Sequence, residues 1–411
     1  MVNHKTIYKK TTGKTKCKGE NNNTDIKIHL SMREKNCLDN MNKKDLSKII
    51  TLLGSSSVSN EDQPLRILVL KSNLPDNIKL MYFKEMELCE TEKYVTRVRA
   101  SINIPINIFA QTKKMRTKKF LDDALNRMED CITGHCEAKR EVLKLLCRWK
   151  HGSIGSMYGI GLEGKPGIGK TTFVNNAIKE ATGLPMVFIS LSGCTDATYL
   201  TGNIYTYEGS TYGRLVHGLI ESKCSNPIIY FDELDKISNT EKGQEIVNTL
   251  ISVIDPAQNS HIRDKYFPFD VDFSKCMFIF SYNDPEKVSP ILLDRIKRIQ
   301  LETPTLCQKR IIVNKHIIPK YLSQFNSSYS LDKEVIEKVL IKNSFEAGMR
   351  STEKDIEHII SCAFLTKHYG SCSILGETTK KSPSNIINMD FVKDIINFDQ
   401  EQSDHTSMMY T

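Results

Sequence analysis

The stretch "GKPGIGKTT", residues 164–172, has the residue types and the spacing needed to hold a polyphosphate. Gly164 and four intervening residues are followed by Gly169, Lys170 and Thr171, so glycines free the backbone N–H groups to curl around phosphate oxygens at the positive end of a helix. Lys170 brings the cation that neutralises β and γ phosphates, and the Thr171 hydroxyl is a ligand for Mg2+. Lys165, Pro166, Gly167, Ile168 and Thr172 complete the turn. An apolar run precedes it, and "TTFVNNAIKEATG" follows with Phe173, Ala177 and Ala181 at helical spacing and Gly183 as the C-cap. The combination predicts a site for ATP and Mg2+.

A second group lies about 60 residues further on, in "PIIYFDELDK". An apolar strand there delivers Asp232 and Glu233 to its tip, where the first carboxylate can hold Mg2+ through water and the second can polarise an attacking water. An acidic pair after a strand is also what a solvated turn looks like. Behind a phosphate loop, the pair defines a nucleoside triphosphatase. In "CMFIFSYNDPEKVSPILLDRIKRI", Asn283 ends a strand and is placed to orient the attacking water. Arg295 follows a short helix and has the charge to stabilise a γ-phosphate bound by a neighbouring subunit. The competing roles are a turn asparagine beside Asp284 and Pro285, and a helix-terminal arginine meeting the dipole.

These residues need a scaffold, and the pattern around them supplies one. From Tyr158, short apolar runs ("YGIGL", "MVFISL", "IIYF", "CMFIFS", "IKRIQL") alternate with helix-length segments. The expected fold is α/β, a P-loop parallel sheet sandwiched by helices over 151–302. The first run is unusually glycine-rich for a central strand. Over 303–398 the strands give way to a helical lid, in which Val335, Ile336, Val339 and Leu340 mark an apolar face and Thr352 with Asp355 has capping-box spacing. Residues 63–150 read as helices and linker: Leu80, Met81, Phe83, Met86 and Leu88 suggest an amphipathic helix from about Pro75, and "LDDALNRMEDCITGHCEAKREVLKLLCRW" a further helical stretch. Residues 1–62 form a basic arm expected to be mostly disordered, and 399–411 a tail.

Composition narrows the setting. At 411 residues, with 39% hydrophobic and 26% charged residues, the chain has the make-up of a globular protein. No apolar run is long enough to span a bilayer, and the basic N-terminus has no apolar stretch behind it, so neither a membrane span nor secretion is expected. Twelve scattered cysteines without a C-x-x-C pair suit a reducing cytosol. The abundant Asn, Ile and Lys hint at an AT-rich genome, such as that of a large DNA virus or a protist, and the cytoplasm would be a host's if the source is viral. Cys131, His135 and Cys136 lack the second pair a zinc site needs. Of the net charge of +8, the first 60 residues carry +7, twelve Lys/Arg against five Asp/Glu. Weak nucleic-acid binding, if any, therefore falls to the arm.

The motifs together resemble the AAA+ ATPase superfamily and, more closely, the ATPase module of the Lon protease family. "GKPGIGKTT" is similar to its P-loop, "NPIIYFDELDKI" to its Walker B stretch, "SPILLDRI" to its arginine-finger segment, and "FEAGMRSTEKDI" to its sensor 2 helix. "SNLPDNIKLMYFKEMEL" resembles the helices before the ATPase, and coverage runs from about 65 to 398. The resemblance implies Asn283 as sensor 1, Arg295 as a finger acting across an interface, Arg350 as sensor 2, and a homohexameric ring. It also places "LSGCTDATYLTGNIYTYEGSTYGRL" at the central channel, with Tyr207 and Gly209 as the grip on an extended protein chain. The position between them is usually apolar in that family, and here it is Glu208.

In the Lon family a serine–lysine peptidase follows the lid. Here "KKSPSNI" holds lysine and serine without the glycine-flanked setting of a nucleophile. The expected function is thus a Lon-like unfoldase or chaperone that hydrolyses ATP, acts on unfolded protein and lacks its own peptidase. The alternatives are an ATPase subunit whose peptidase is supplied in trans and a nucleic-acid remodeller using the basic arm.

Overall fold

The computed structural model describes residues 65–88, 91–110, 116–150, 159–325, 329–369, 385–393, 395–396 and 398. The basic arm, the connector up to residue 115, "KKSPS" at 380–384 and the tail lie outside the described residues. The chain divides into two units, residues 1–71 and 72–411. Within the first, the described residues form one helix, α1 (Leu65–Lys71).

The second unit opens with a helical pair, α2 (Asp76–Leu88) and α3 (Glu92–Ile102). Ile78, Tyr82 and Met86 form the buried face of α2, and Tyr94, Val98 and Ser101 that of α3. Of the stripe expected on α2, only Met86 is buried, and Leu80 and Leu88 are exposed. The spacing of four aligns Ile78, Tyr82 and Met86 instead, and the Tyr82 hydroxyl meets Ser101 Oγ at 2.6 Å across the pair. The next helical stretch is broken into α4 (Thr117–Cys131) and α5 (Cys136–Lys150). Gly134 and His135 between them take φ of 82° and 55°, which no helix continues through. Cys136 is exposed, and His135 is buried edge-on against Phe173.

The sheet follows the expected five runs. Its strands are β1 (Gly159–Glu163), β2 (Met186–Ser190), β3 (Ile228–Asp232), β6 (Met277–Tyr282) and β7 (Ile296–Gln300), all parallel in the order β2-β3-β6-β1-β7. A two-residue hairpin, β4 (Ile262–Arg263) with β5 (Asp270–Val271), interrupts the series and was not legible from the runs. Helix α6, over 170–182, leaves the phosphate loop and contains a π-helical stretch, Phe173–Ile178. Short α7 (Thr198–Thr201), α8 (Arg214–Ser222), α9 (Glu241–Ile254) and α10 (Pro290–Asp294) complete the layers. Phe120, Met128, Val142 and Trp149 of α4 and α5 share one apolar core with Phe173 and Ile178 of α6 and with Leu162, Tyr230 and Ile279 of the sheet.

The glycines of β1 have a packing reason. A Cβ at Gly161 would lie 2.7 Å from Ile296 Cδ1, and one at Gly159 would lie 2.8 Å from Phe280 Cε2. Side chains from both neighbouring strands thus lie across a strand stripped of its own.

The lid has its own core. Helix α11, over 306–324, carries Val313 and Tyr321; α12 (Lys333–Lys342) buries Val335, Ile336, Val339 and Leu340 as expected; α13 (Arg350–Tyr369) adds Ile356 and Ile360. Strands β8 (Ser330–Leu331) and β9 (Ile386–Ile387) pair in parallel, and α14 (Met389–Lys393) follows. The capping box expected at Thr352 and Asp355 is not formed, because α13 already begins at Arg350. Asp355 instead accepts from Lys342 of α12 and from Asn343, the residue that caps its C-terminus, at 3.2 and 2.8 Å. A real capping box stands at Thr305 and Gln308, where α11 starts.

The lid meets the phosphate loop backbone to backbone. Met349 N–H donates to Gly167 O at 3.0 Å. A Cβ on Gly348 would stand 2.4 Å from the Gly167 carbonyl carbon, with no flexible side chain to yield. Gly348→Ala is therefore expected to push the lid from the loop and lower stability by about 1–3 kcal/mol, the usual cost of overpacking. Thermal unfolding checks it, and an unchanged midpoint would mean that this contact is not made.

Candidate functional site

β1, β6 and β3 are adjacent, and the chain leaves all three at one edge of the sheet. That adjacency brings together the loop after β1, Asp232 at the end of β3 and Asn283 after β6, the last 113 residues beyond Lys170 of the loop. Gly167 and Gly169 take φ of 78° and 98°, the left-handed turns that let a loop backbone curl into an anion cradle. Lys170 Nζ donates to Gly164 O (2.7 Å), Lys165 O (3.1 Å) and Asn283 Oδ1 (2.7 Å). All three acceptors are neutral, so they position the ammonium without cancelling its charge. Burial pulls its pKa below the ordinary lysine value against the carboxylates of Asp232, Asp235 and Glu233, and the Arg350 charge pulls the same way. An anion placed beside Lys170 would oppose both effects.

The two carboxylate oxygens of Asp232 have different settings. Its Oδ1 accepts from Tyr230 OH (3.1 Å), from Ser281 Oγ and from the Glu233 N–H (3.1 Å), while Oδ2 stands 3.4 Å from Thr171 Oγ1. Burial pushes the Tyr230 phenol up to about 12, so it keeps its proton and remains a donor. With Oδ1 occupied, Oδ2 and the Thr171 hydroxyl form a pair of oxygen ligands that fits Mg2+. Glu233 adopts φ 61° and ψ 48°, a left-handed conformation that a non-glycine residue holds only when its surroundings impose it. Asp235, nearly fully buried, accepts from Asn283 Nδ2 at 3.4 Å and so orients the amide whose oxygen meets Lys170.

A cavity of about 260 Å3 is lined by Lys170, Thr171, Asp232, Glu233, Asn283 and Arg350, together with Pro166, Gly167, Gly169 and Thr172. Arg350 reaches it from the first turn of α13, so the lid completes a site that the sheet begins. Gly164 and Lys165 contribute the carbonyls already named, and Ile168 is buried beneath the loop. Behind the loop, Ile168 lines a second, more apolar space of about 450 Å3 between the α4–α5 turn and the lid, with Ile132, His135, Ile317 and Met349. Burial lowers the His135 pKa, favouring the neutral ring. Arg295 caps α10 and is not among the residues lining either cavity of its own chain.

The tyrosine-rich loop divides by role. Tyr205 and Tyr212 pack around Tyr266, at 6.0 and 5.9 Å between ring centres, whereas Tyr207 is 64% exposed at the tip beside Glu208 and Gly209. Gly209 has φ of 71°, which completes the reversal. The base of the loop is tied to Asp264, whose buried carboxylate accepts from Gly213 N–H at 2.8 Å and Tyr266 N–H at 2.9 Å. Burial raises that carboxyl to about 6.

Several residues escape sequence reasoning. Tyr230 and Ser281 support Asp232, Asp235 orients Asn283, and the α4–α5 turn walls the apolar cavity. Two of these left a readable trace: Tyr230 is two positions from Asp232, hence on the same face of the strand, and Ser281 is a lone hydroxyl in the otherwise apolar "MFIFSY". Asp235 left none, since a third acid in "DELDK" reads as solvated turn.

Residues 160–303 match the AAA model, the ATPase family associated with various cellular activities. Across 84% of its length the chain is 29% identical to a Lon protease homolog of Acanthamoeba polyphaga mimivirus, covering 35% of that protein. It is 32% identical to the Lon protease of Campylobacter jejuni over 66% of the chain and 34% of that protein. A Lon protease of Helicobacter pylori strain J99 is 35% identical over 49% of the chain and 24% of its own length. The chain thus spans about a third or less of the relatives it matches. With the phosphate loop, acidic pair and lid arginine gathered at one cavity, residues 160–303 carry an AAA-family ATPase domain, and the chain around it is similar to part of the Lon proteases.

Proposed function

We propose that the protein hydrolyses ATP and uses the energy, as a ring of identical subunits, to unfold or remodel protein chains. The observation that carries this is the single cavity where Lys170, Thr171, Asp232, Glu233, Asn283 and Arg350 converge. The phosphates lie on the loop of residues 164–172 against Lys170, and the base enters the apolar space behind it. Thr171 and Asp232 would hold Mg2+, which would neutralise charge on the phosphates. Glu233 takes the proton of the attacking water, which Asn283 orients. Arg350 contacts the γ-phosphate from the lid, so that loss of this phosphate changes how the lid sits. Arg295, standing apart from its own cavity, serves the site of a neighbouring subunit.

The exposed Tyr207, with Glu208 and Gly209, is the grip. An aromatic face presses on extended chain of any sequence, and six copies of Glu208 make the grip acidic. The free cysteines among the described residues suit a cytosolic protein, and no described helix is long and apolar enough to cross a membrane. A second reading draws on the relatives' names: the motor feeds a peptidase, and co-purification with peptidase activity would favour it.

Glu233→Gln is expected to keep nucleotide binding while cutting hydrolysis by at least ~100-fold, the scale of a lost general base. Turnover and fluorescent-nucleotide titration separate the two effects, and full activity in this variant would sink the assignment. Wild type should form nucleotide-promoted rings by size-exclusion chromatography, with turnover stimulated by unfolded protein. A monomer that ignores unfolded protein would refute the motor.

Glu208→Ile is expected to shift client preference from basic toward apolar peptides, read as competition between the two classes for stimulation of turnover. Unchanged selectivity would remove Glu208 from the grip.

A further inference from the structure

The grip loop is held from its N-terminal side by two cations of α3. The Arg97 guanidinium lies 4.1 Å from the Tyr205 ring centre, and Lys93 Nζ stands 5.4 Å from the same ring. Lys93 also donates to the carbonyl of Tyr207, the exposed tip residue. Tyr205 is wedged between these cations and Tyr266 behind it, and its own carbonyl accepts from Ser210 Oγ at 3.0 Å across the loop.

Arg97 is itself placed. Its side chain is 11% exposed and bonded to Glu85 of α2 at 2.8 Å. α3 is fixed to α2 through Tyr94 OH to Tyr82 O at 3.0 Å. The segment after α3 is pinned to the turn between α8 and β3, where Ser225 N–H donates to Ile108 O and Ala110 N–H to Asn226 Oδ1, at 2.6 and 2.7 Å. The cations therefore sit on a fixed shelf while the loop tip stays exposed.

We propose that Arg97, acting through Tyr205, is a positioning residue that sets the reach of Tyr207 and couples the α2–α3 pair to client engagement. A guanidinium on an aromatic face holds more strongly when buried than when exposed, and Lys93 adds a bond to the tip itself. Loss of this support lets the loop sample poses in which Tyr207 does not meet a client, which weakens engagement without touching the nucleotide cavity. The proposal rests on Tyr207 being the grip.

The test is a titration of ATP turnover by the full chain against an unfolded protein. For Arg97→Ala, the client concentration for half-maximal stimulation is expected to rise about fivefold, with basal and saturated rates unchanged. Tyr205→Leu should do the same, and the double variant should be no worse than either single one, because both remove the same contact. Arg97→Lys should restore part of the effect. Glu85→Gln breaks the ion pair and keeps the stack, so it should stay near wild type.

An unchanged titration for both Arg97→Ala and Tyr205→Leu, beside a Tyr207→Ala that has lost stimulation, overturns the coupling and leaves the grip standing. If Tyr207→Ala is also unchanged, the grip itself is wrong. If Glu85→Gln reproduces Arg97→Ala, Arg97 serves only the α2–α3 pair, and the proposal fails.

Discussion

The position of one ammonium group organises the rest of the site. Lys170 Nζ is bound by two loop carbonyls and one amide oxygen, each neutral, within a partly buried cavity that Arg350 also lines. Burial alone would favour loss of its proton, and the three nearby carboxylates oppose that loss from a distance rather than by direct pairing. A lysine bonded to a carboxylate would have its charge already matched. One held by dipoles keeps it for a phosphate, which is why the parallel sheet, the glycine turn and Asn283 must meet at one point.

The same requirement explains features remote from chemistry. Bringing β6 and β7 tight against β1 asks for Gly159 and Gly161, because Phe280 and Ile296 occupy the space that their side chains would fill. Holding the loop against the lid asks for Gly348, where two backbones touch. Lys309 adds to this joint by donating to Glu346 O at 2.6 Å, from a position so buried that its pKa is lowered. The lid is thus joined to the phosphate loop through main-chain atoms, which are stiffer than side chains.

Most of the sheet was legible because each strand is a short apolar run with turn residues at its ends, and buried parallel strands need nothing more. The phosphate loop and acidic pair were legible for a related reason: their chemistry admits few residue types. The capping box was misplaced to Thr352 because sequence alone cannot say where a helix begins when a loop ahead of it, Glu346 to Met349, is already tied to the site. Ser351 N–H is satisfied by Glu346 Oε2 at 2.8 Å, so α13 has a cap from further back in the chain. The buried face of α2 was misread because Tyr82 looks amphipathic on paper. Its burial depends on Ser101, nineteen residues away, to satisfy the hydroxyl. In the aromatic loop the exposed Tyr207 was legible, whereas the partner on which Tyr205 and Tyr212 pack was not, because Tyr266 belongs to a different loop.

That division shows how an exposed aromatic can be kept ready without collapsing onto the protein. Tyr207 would gain by burying its ring, yet the chain on either side is already committed. Tyr205 lies between Arg97 and Tyr266, and Tyr212 is stacked on His217 with Tyr266 and Phe267 beside it. Gly202 and Gly213 close the base around Asp264: a Cβ at Gly213 would fall 2.1 Å from Leu200 O, and one at Gly202 would fall 2.7 Å from Asp264 Oδ1. A buried carboxylate is a costly way to hold a loop, as its raised pKa shows. What it supplies is two directed acceptor oxygens for Gly213 and Tyr266 N–H groups that would otherwise be buried unpaired. With both ends fixed by neighbours that Tyr207 does not contribute to, its ring has no free length of chain with which to fold inward.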